Sequence, residues 1–157
     1  MIGSGNGSKP PRFGGPRYNG GDACMAGTLG EHDSIMKNVA VIGASNDRGK
    51  FSNKAVRAFV QQGYRVFPVN PREPRIEGLP AFAGVRDVTE RLDLVSVYLP
   101  PPVLLKVLPD IAAKGCDELW LNPGTESAEV LAEAERLGLK VVQTCSIVAV
   151  GMSPGSL

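Results

Sequence analysis

The chain has 157 residues, of which 43% are hydrophobic and 21% charged, and its formal net charge is +1. This length allows one domain with a substantial core but is too short for two. The near-neutral charge argues against general nucleic-acid binding, which needs a basic face to neutralise phosphates. No apolar run reaches the length that crosses a bilayer. We therefore expect neither a nucleic-acid nor a membrane partner.

Residues 1–36 contain nine of the nineteen glycines and follow neither helical nor strand periodicity. Such a segment buries too little apolar surface to offset its ordering entropy, so we predict a disordered, flexible Gly/Pro-rich tail. This segment lacks the apolar core of a secretory signal. The three cysteines, Cys24, Cys116 and Cys145, have no metal-type spacing. Together these features predict a cytoplasmic protein with reduced thiols and no metal site.

From residue 37 onward, short apolar runs alternate with segments of helical period, and glycines separate several of them. The runs are continuously apolar, which is typical of parallel strands buried on both faces. We therefore predict an α/β fold, a Rossmann-like doubly wound parallel sheet of about five strands. The domain should span residues 37–150, followed by a C-terminal tail over residues 151–157. The predicted strands are 39–42, 65–69, 92–98, 118–121 and 140–142.

Several local features are also predicted. A helix over residues 51–62 should bury Val60 with its apolar face, and residues 76–88 should contain one short helix. Pro109 should kink the next helix or shift its start, because proline lacks an N–H group. Thr125 is a candidate N-cap for the helix that follows it.

Ligands of doubly wound sheets bind beyond the carboxyl ends of the strands, near the point where the strand order reverses. The loops that follow the five predicted strands are therefore the candidate site. These loops are residues 43–50, 70–75, 99–102, 122–125 and 143–146.

The first of these loops resembles a phosphate-binding turn, because it joins a strand to a helix N-terminus, where N–H groups and the helix dipole favour anions. Gly43 and Gly49 are one residue too far apart for a P-loop, and Phe51 replaces the hydroxyl that would bind magnesium. Ser45 replaces the second glycine of the dinucleotide fingerprint. ATP or GTP hydrolysis is therefore disfavoured, and an ordinary dinucleotide site is weakened.

The second strand ends at Asn70, where NAD sites place an acidic residue for the ribose hydroxyls. Arg72 and Arg75 follow it, and two arginines there would suit an additional phosphate. Either the 2′-phosphate of NADP or the 3′-phosphate of coenzyme A (CoA) meets that description. Solvated loop arginines without a ligand are an equal alternative.

Four segments together carry a family resemblance: VAVIGAS (39–45), GYRVFPVNP (63–71), VYLPPP (97–102) and LWLNPG (119–124). Their order and spacing resemble those of the CoA-binding domain family. That family includes small single-domain bacterial proteins and the N-terminal domain of the succinyl-CoA synthetase alpha subunit. The resemblance implies a Rossmann-type domain that binds CoA or acyl-CoA.

The resemblance also implies roles for individual residues. Ser45, Asn46, Asp47 and Arg48 would hold the CoA phosphates, and Arg72 or Arg75 would approach the 3′-phosphate. The segment at Tyr98 would pack against the adenine side, and the segment at Asn122 would line the pantetheine arm. The full set of expected cofactor-binding residues is Gly43, Ala44, Ser45, Asn46, Asp47, Arg48, Lys50, Asn70, Pro71, Arg72, Arg75, Tyr98, Leu99, Pro100, Leu121, Asn122 and Pro123.

No catalytic constellation is evident, because the single histidine, His32, lies in the predicted tail and Cys145 has no adjacent base in the sequence. We therefore expect a stand-alone, non-catalytic binding module that acts as a carrier, sensor or regulatory subunit. Two alternatives stay open: a small NADP-binding oxidoreductase or redox sensor, and a scaffold subunit of an acyl-CoA synthetase-like complex. A homo-oligomer or a synthetase-like partner is compatible with either role.

Overall fold

A computed structural model of the protein describes residues 36–157. The predicted tail, apart from Met36, lies outside the described residues. Within residues 36–157, no helix is both long and apolar enough to cross a membrane.

The domain is built on a five-stranded, fully parallel sheet with the strand order β2-β1-β5-β6-β7. The predicted fold class is thereby confirmed. A separate antiparallel hairpin, β3 and β4, follows β2 along the chain. The strands are β1 (Asn38–Ile42), β2 (Arg65–Val69), β3 (Arg75–Ile76), β4 (Leu79–Pro80), β5 (Leu92–Val97), β6 (Cys116–Leu121) and β7 (Val141–Gln143).

Helices follow β1, β5, β6 and β7 in turn, and two 3-10 turns complete the described chain. The helices are α1 (Phe51–Gln61), α2 (Pro101–Lys114), α3 (Ala128–Arg136) and α4 (Ser146–Ala149), and the 3-10 turns are Val85–Asp87 and Pro154–Ser156. α2 begins at Pro101, so Pro109 lies well inside this helix, at an exposed position.

Alternate residues of β1 supply two apolar clusters, one on each face of the sheet. Ala40 and Ile42 pack with buried residues of α2 and α3, including Leu108. Val39 and Val41 pack instead with α1 and α4, including Phe59. Burial on both faces explains why the strand segments are continuously apolar rather than alternating.

Three local expectations are wrong. Val60 is 48% exposed, whereas the polar residues Ser52 and Asn53 are buried on the inner face of α1. The N-cap of α3 is Ser127, whose hydroxyl accepts a hydrogen bond from the Val130 N–H, while Thr125 is buried and donates to the Asn122 carbonyl at 2.7 Å. The 143–146 loop ends earlier than expected because α4 begins at its last residue.

The segment 76–88 contains the 3-10 turn at Val85–Asp87, together with part of the β3–β4 hairpin. Residues 151–157, predicted to be a C-terminal tail, pack on the domain. Met152 and Leu157 contact the α1-side apolar cluster, and the Lys54 ammonium of α1 donates to the Pro154 carbonyl at 2.9 Å. Apolar contacts and a hydrogen bond from a side chain to the backbone thus hold this segment against α1.

The strand order reverses between β1 and β5, since β2 lies on one side of β1 and the later strands lie on the other. A crevice at that point, beyond the carboxyl ends of these strands, is where such sheets bind ligands. The loops after β1 and β5 border it.

Candidate functional site

The loop after β1 passes very close to the end of β5. The Gly43 N–H donates to the Val69 carbonyl at 3.1 Å, and the Tyr98 N–H donates to the Ile42 carbonyl at 2.9 Å. Gly43 has a φ of 87°, and a Cβ atom built on it would lie 3.0 Å from the Tyr98 carbonyl oxygen. Glycine is therefore needed here both for its backbone conformation and for the close approach.

Hydrogen bonds within this loop, and others from α1 beneath it, hold the loop in place. The Ser45 hydroxyl accepts from the Asp47 N–H at 3.0 Å, and the Asp47 carboxylate accepts from the Gly49 N–H at 3.0 Å. Asn53 of α1, which is fully buried, donates its amide to the Ser45 carbonyl at 2.8 Å. Its oxygen accepts from the Arg57 guanidinium at 2.7 Å. The loop therefore has a defined shape without a ligand.

The segment after β2 is tied to this loop by two asparagines. Asn70 donates its amide to the Ala44 carbonyl at 2.8 Å and accepts from the Arg72 N–H at 2.7 Å. Asn46 donates to the Glu73 carboxylate and also to the Arg75 carbonyl, the latter at 2.7 Å. Two loops separated by about one helix in sequence, 43–50 and 70–75, therefore form one surface.

This surface carries four exposed basic residues, Arg48, Lys50, Arg72 and Arg75. The Arg48 guanidinium lies 3.7 Å from the Glu77 carboxylate. The Arg75 guanidinium donates to the Gly78 carbonyl at 2.5 Å, across the β3–β4 turn. The structure thus places the predicted phosphate loop next to the segment that carries Arg72 and Arg75. Pro71, another predicted site residue, is exposed beside Arg72.

A cavity of about 350 Å³ lies at the carboxyl edge of the sheet, between the start of α1 and the ends of β5, β6 and β7. Its lining is mainly apolar. Five of the predicted site residues line it, and so do four residues that the prediction omitted. The lining residues are Phe51, Tyr98, Leu99, Pro100, Asn122, Pro123, Gly124, Thr125 and Cys145.

A buried polar network lies beneath this cavity, and Asn122 is its centre. The Asn122 amide donates to the Ser96 hydroxyl at 3.0 Å and to the Val97 carbonyl at 2.8 Å. Its oxygen accepts from the Ser146 N–H at 2.7 Å. The hydroxyls of Ser96 and Ser146 lie 2.8 Å apart. Asn122 thus joins the ends of β5 and β6 to α4, and it holds the cavity wall in place.

Tyr98 adds an unusual polar group to this region. Its hydroxyl is buried and has no hydrogen-bond partner among the described residues. Burial raises the pKa of the Tyr98 hydroxyl, and the nearby Cys145 raises it further. The phenol therefore stays protonated at neutral pH.

Two of the predicted site residues, Ala44 and Leu121, are 0% and 1% exposed and belong to the apolar core. They support the site from beneath and do not line the cavity. The omitted lining residues gave uneven signals in the sequence. Cys145 and Thr125 lie in loops that the predicted topology had assigned to the candidate site. Phe51, at the start of α1 and 57% exposed, had been considered only as the residue that replaces the magnesium-binding hydroxyl of a P-loop.

A second cavity, of about 240 Å³, opens at the opposite edge of the sheet. Its charged lining is largely paired: Glu118, for example, accepts from the Trp120 indole at 2.9 Å and lies 3.3 Å from the Lys140 ammonium. Across residues 36–157, no three metal-ligating side chains gather into a cluster that could hold a metal ion.

Comparison with known proteins identifies the family. Residues 37–151 match the model of a family described as "CoA binding domain". The chain belongs to this CoA-binding domain family. The match covers nearly all of the residues that the structure describes, including both basic loops and the cavity.

Relatives of known sequence include ADP-forming acetate–CoA ligases of archaea. The alpha subunit of acetate–CoA ligase II from Pyrococcus furiosus is 32% identical over 117 residues, which are 68% of this chain and 26% of that subunit. An acetate–CoA ligase from Methanocaldococcus jannaschii is 33% identical over 82 residues, 52% of this chain and 12% of the ligase. The chain therefore spans only a minor part of these relatives.

Solved structures share the fold over nearly the whole described domain. A conserved hypothetical protein from Pyrococcus furiosus superposes with a TM-score of 0.67 at 31% identity, covering 73% of this chain and 99% of that protein. A protein from Thermus thermophilus gives a TM-score of 0.68 at 34% identity, with coverages of 73% and 88%. The shared fold thus makes up most of each of these two proteins.

Proposed function

We propose that this domain binds coenzyme A or acyl-CoA without catalysing a reaction, as a carrier, sensor or regulatory subunit. One observation carries the proposal: an exposed basic surface and a mainly apolar cavity lie at the same edge of the sheet. CoA combines a multiply charged phosphate end with a long uncharged arm, so it requires both features within reach of each other. The relation to CoA ligases supports this choice of ligand.

In this proposal, the two parts of the site take different parts of the ligand. The loop at Ser45–Lys50 contacts the diphosphate, and Arg72 or Arg75 contacts the 3′-phosphate, because guanidinium groups bind phosphate oxygens well. The cavity lined by Leu99 and Pro123 takes the pantetheine arm. Its volume lies in the range of ordinary small-molecule pockets, about 300–1,000 Å³.

The non-catalytic part of the proposal rests on the chemistry of the cavity lining. Its titratable groups are Tyr98 and Cys145. Because burial raises the pKa of the Tyr98 hydroxyl, this phenol is a poor general base at neutral pH. A bound thioester would therefore lie beside a phenol that does not readily activate water.

Thermal-shift titration with CoA, acetyl-CoA, dephospho-CoA, NADP and ATP tests the proposal. A ligand that binds the folded state raises the melting temperature progressively with its concentration. We expect CoA and acetyl-CoA to do so, and dephospho-CoA to do so less. A shift with NADP and none with CoA would replace this proposal by the NADP-binding alternative.

The 3′-phosphate assignment has its own test. Replacing both Arg72 and Arg75 with alanine should weaken CoA binding about tenfold to a hundredfold, as expected for hydrogen bonds to charged groups. Binding of dephospho-CoA should change little. The single variant Arg72→Ala is also needed, because the Arg75 guanidinium contacts the β3–β4 turn and its loss could disturb that turn as well. Arg86→Ala, at an exposed arginine on another part of the surface, is the control. Equal losses for both ligands would remove these arginines from 3′-phosphate recognition.

A second candidate role is a subunit of an acyl-CoA synthetase-like complex. It is favoured by the likeness to the alpha subunit of an acetate–CoA ligase, because that relative is itself one subunit of an enzyme. Sedimentation analysis with and without a candidate partner subunit tests this role, and self-association in the same experiment would indicate a homo-oligomer.

A further inference from the structure

Glu77 adopts a backbone conformation that glutamate rarely takes. Among the described residues it is the only non-glycine residue with a positive φ, at 51°. Glu77 and Gly78, whose φ is 78°, form the two-residue turn between β3 and β4. Turns with two positive φ values strongly favour Asn, Asp and Gly. A glutamate here costs conformational free energy, and such an outlier points to a use for its side chain.

The Glu77 side chain extends to the loop that we assign to the ligand phosphates. Its carboxylate accepts from the buried Asn53 amide at 2.9 Å and lies 3.7 Å from the Arg48 guanidinium. The Glu77 N–H donates to the Asn46 side-chain oxygen at 3.1 Å. Three residues in or beneath the phosphate loop therefore hold this turn in place and fix its carboxylate beside Arg48.

A carboxylate in this position opposes the binding of an anion. Arg48 forms an ion pair in the structure, and its partner, Glu77, has the same sign of charge as a phosphate. The Glu77 side chain is 22% exposed and is held by Asn53, whereas Arg48 is 66% exposed. The carboxylate is thus fixed, and the guanidinium is the partner that can move.

We propose that Glu77 competes with a ligand phosphate for Arg48 and so lowers the affinity of the site for phosphate-bearing ligands. The inference rests on the proposed function, because it takes the 43–50 loop as the phosphate site. A ligand must draw the Arg48 guanidinium away from Glu77 when it binds. The competition weakens binding of the whole ligand and favours its release, which suits a domain that has to exchange its ligand.

The test uses Glu77→Gln, which removes the charge but retains an oxygen that can accept from Asn53. Glu73→Gln is the matched control, since Glu73 also lies beside the loop but contacts the Asn46 amide rather than an arginine. We expect Glu77→Gln to bind CoA about twofold to fivefold more tightly at low salt, the range set by a solvent-exposed ion pair. This gain should shrink as salt screens the pair. Glu73→Gln should stay within about twofold of the wild type.

A second readout needs no ligand. Phenylglyoxal labels free guanidinium groups, and peptide mass spectrometry reports the rate at Arg48. We expect faster labelling of Arg48 in Glu77→Gln than in the wild type or in Glu73→Gln.

Unchanged or weaker CoA binding by Glu77→Gln, in a wild-type background that binds CoA, would overturn the competition. Unchanged labelling of Arg48 would overturn the ion pair itself. If the wild type binds no CoA but the Arg48 labelling still rises, the proposed function fails while the Glu77–Arg48 pair stands. The two proposals therefore fail separately.

Discussion

Gly43→Ala is the substitution that most directly tests how the site is assembled. The added Cβ would lie 3.0 Å from the Tyr98 carbonyl oxygen and 3.1 Å from the Leu99 Cδ2 atom. The first contact is with backbone, which cannot move without displacing the end of β5. In addition, the φ of 87° is a conformation in which any residue with a Cβ is strained. Two separate penalties therefore act at one position.

Their sizes can be separated with a second glycine. Gly63 has nearly the same φ, 86°, and nothing lies within 4 Å of a Cβ built there. Gly63→Ala should therefore cost only the backbone penalty, about 1–2 kcal/mol. Gly43→Ala should cost that amount plus the displacement of Tyr98 and Leu99, about 1–3 kcal/mol more, as for overpacking elsewhere.

Urea unfolding monitored by circular dichroism measures both variants. We expect the free energy of unfolding to fall by about 2–5 kcal/mol for Gly43→Ala. CoA affinity should fall only in Gly43→Ala, because Tyr98 and Leu99 line the cavity. Equal destabilisation of the two variants would show that the β1 loop does not depend on close approach to β5.

Two further outcomes are expected. The Asn38 N–H donates to the Asp93 carboxylate at 2.8 Å. Burial alone would raise the pKa of this carboxyl, but the Asn38 N–H and the Arg91 guanidinium outweigh the effect of burial, so the pKa is lowered. A carboxyl with a lowered pKa stabilises the fold at pH values above its unfolded pKa of about 3.9, and this stabilisation is lost as the pH falls through its folded pKa. Asp93→Asn should thus lower the free energy of unfolding in urea by about 1–2 kcal/mol at pH 7 and by progressively less in acid. A loss that does not change with pH would contradict this linkage. Burial, assisted by Asp117, raises the pKa of the Cys116 thiol to about 11, whereas Cys145 lines the cavity. Iodoacetamide at neutral pH should therefore alkylate Cys145 before Cys116, and acetyl-CoA should slow the reaction at Cys145. Mass spectrometry that finds Cys116 more reactive, or Cys145 unprotected, would argue against the cavity assignment.

The sheet was predictable because its signal is local. Each main strand is a short apolar run, and parallel strands covered by helices on both sides leave no polar face to interrupt it. β2, at Arg65–Val69, matches its prediction residue for residue. From this pattern the positions of the ligand loops followed, since the carboxyl ends of parallel strands share one edge.

Short and non-local features escaped prediction. β3 and β4 have two residues each, too few for any periodicity. The cap at Ser127 competed with an equally suitable hydroxyl at Thr125, and only the tertiary contact of Thr125 with the Asn122 carbonyl decides between them. The network joining Ser96 to Ser146 spans 50 residues of sequence, so no pattern within a window could indicate it.

The loop at residues 43–50 shows how local reasoning about a predicted phosphate site can leave out part of its chemistry. A strand that leads into a helix N-terminus suggests recognition by backbone N–H groups. In the structure, however, the N–H groups of Asp47, Gly49 and Lys50 already donate within the loop. In the proposed site, more of the phosphate recognition would then fall to side chains, above all to Arg48. The ion-pair partner of Arg48 is Glu77, 29 residues further along the chain, so the proposal includes the hairpin after β2 in the site although no motif marks it.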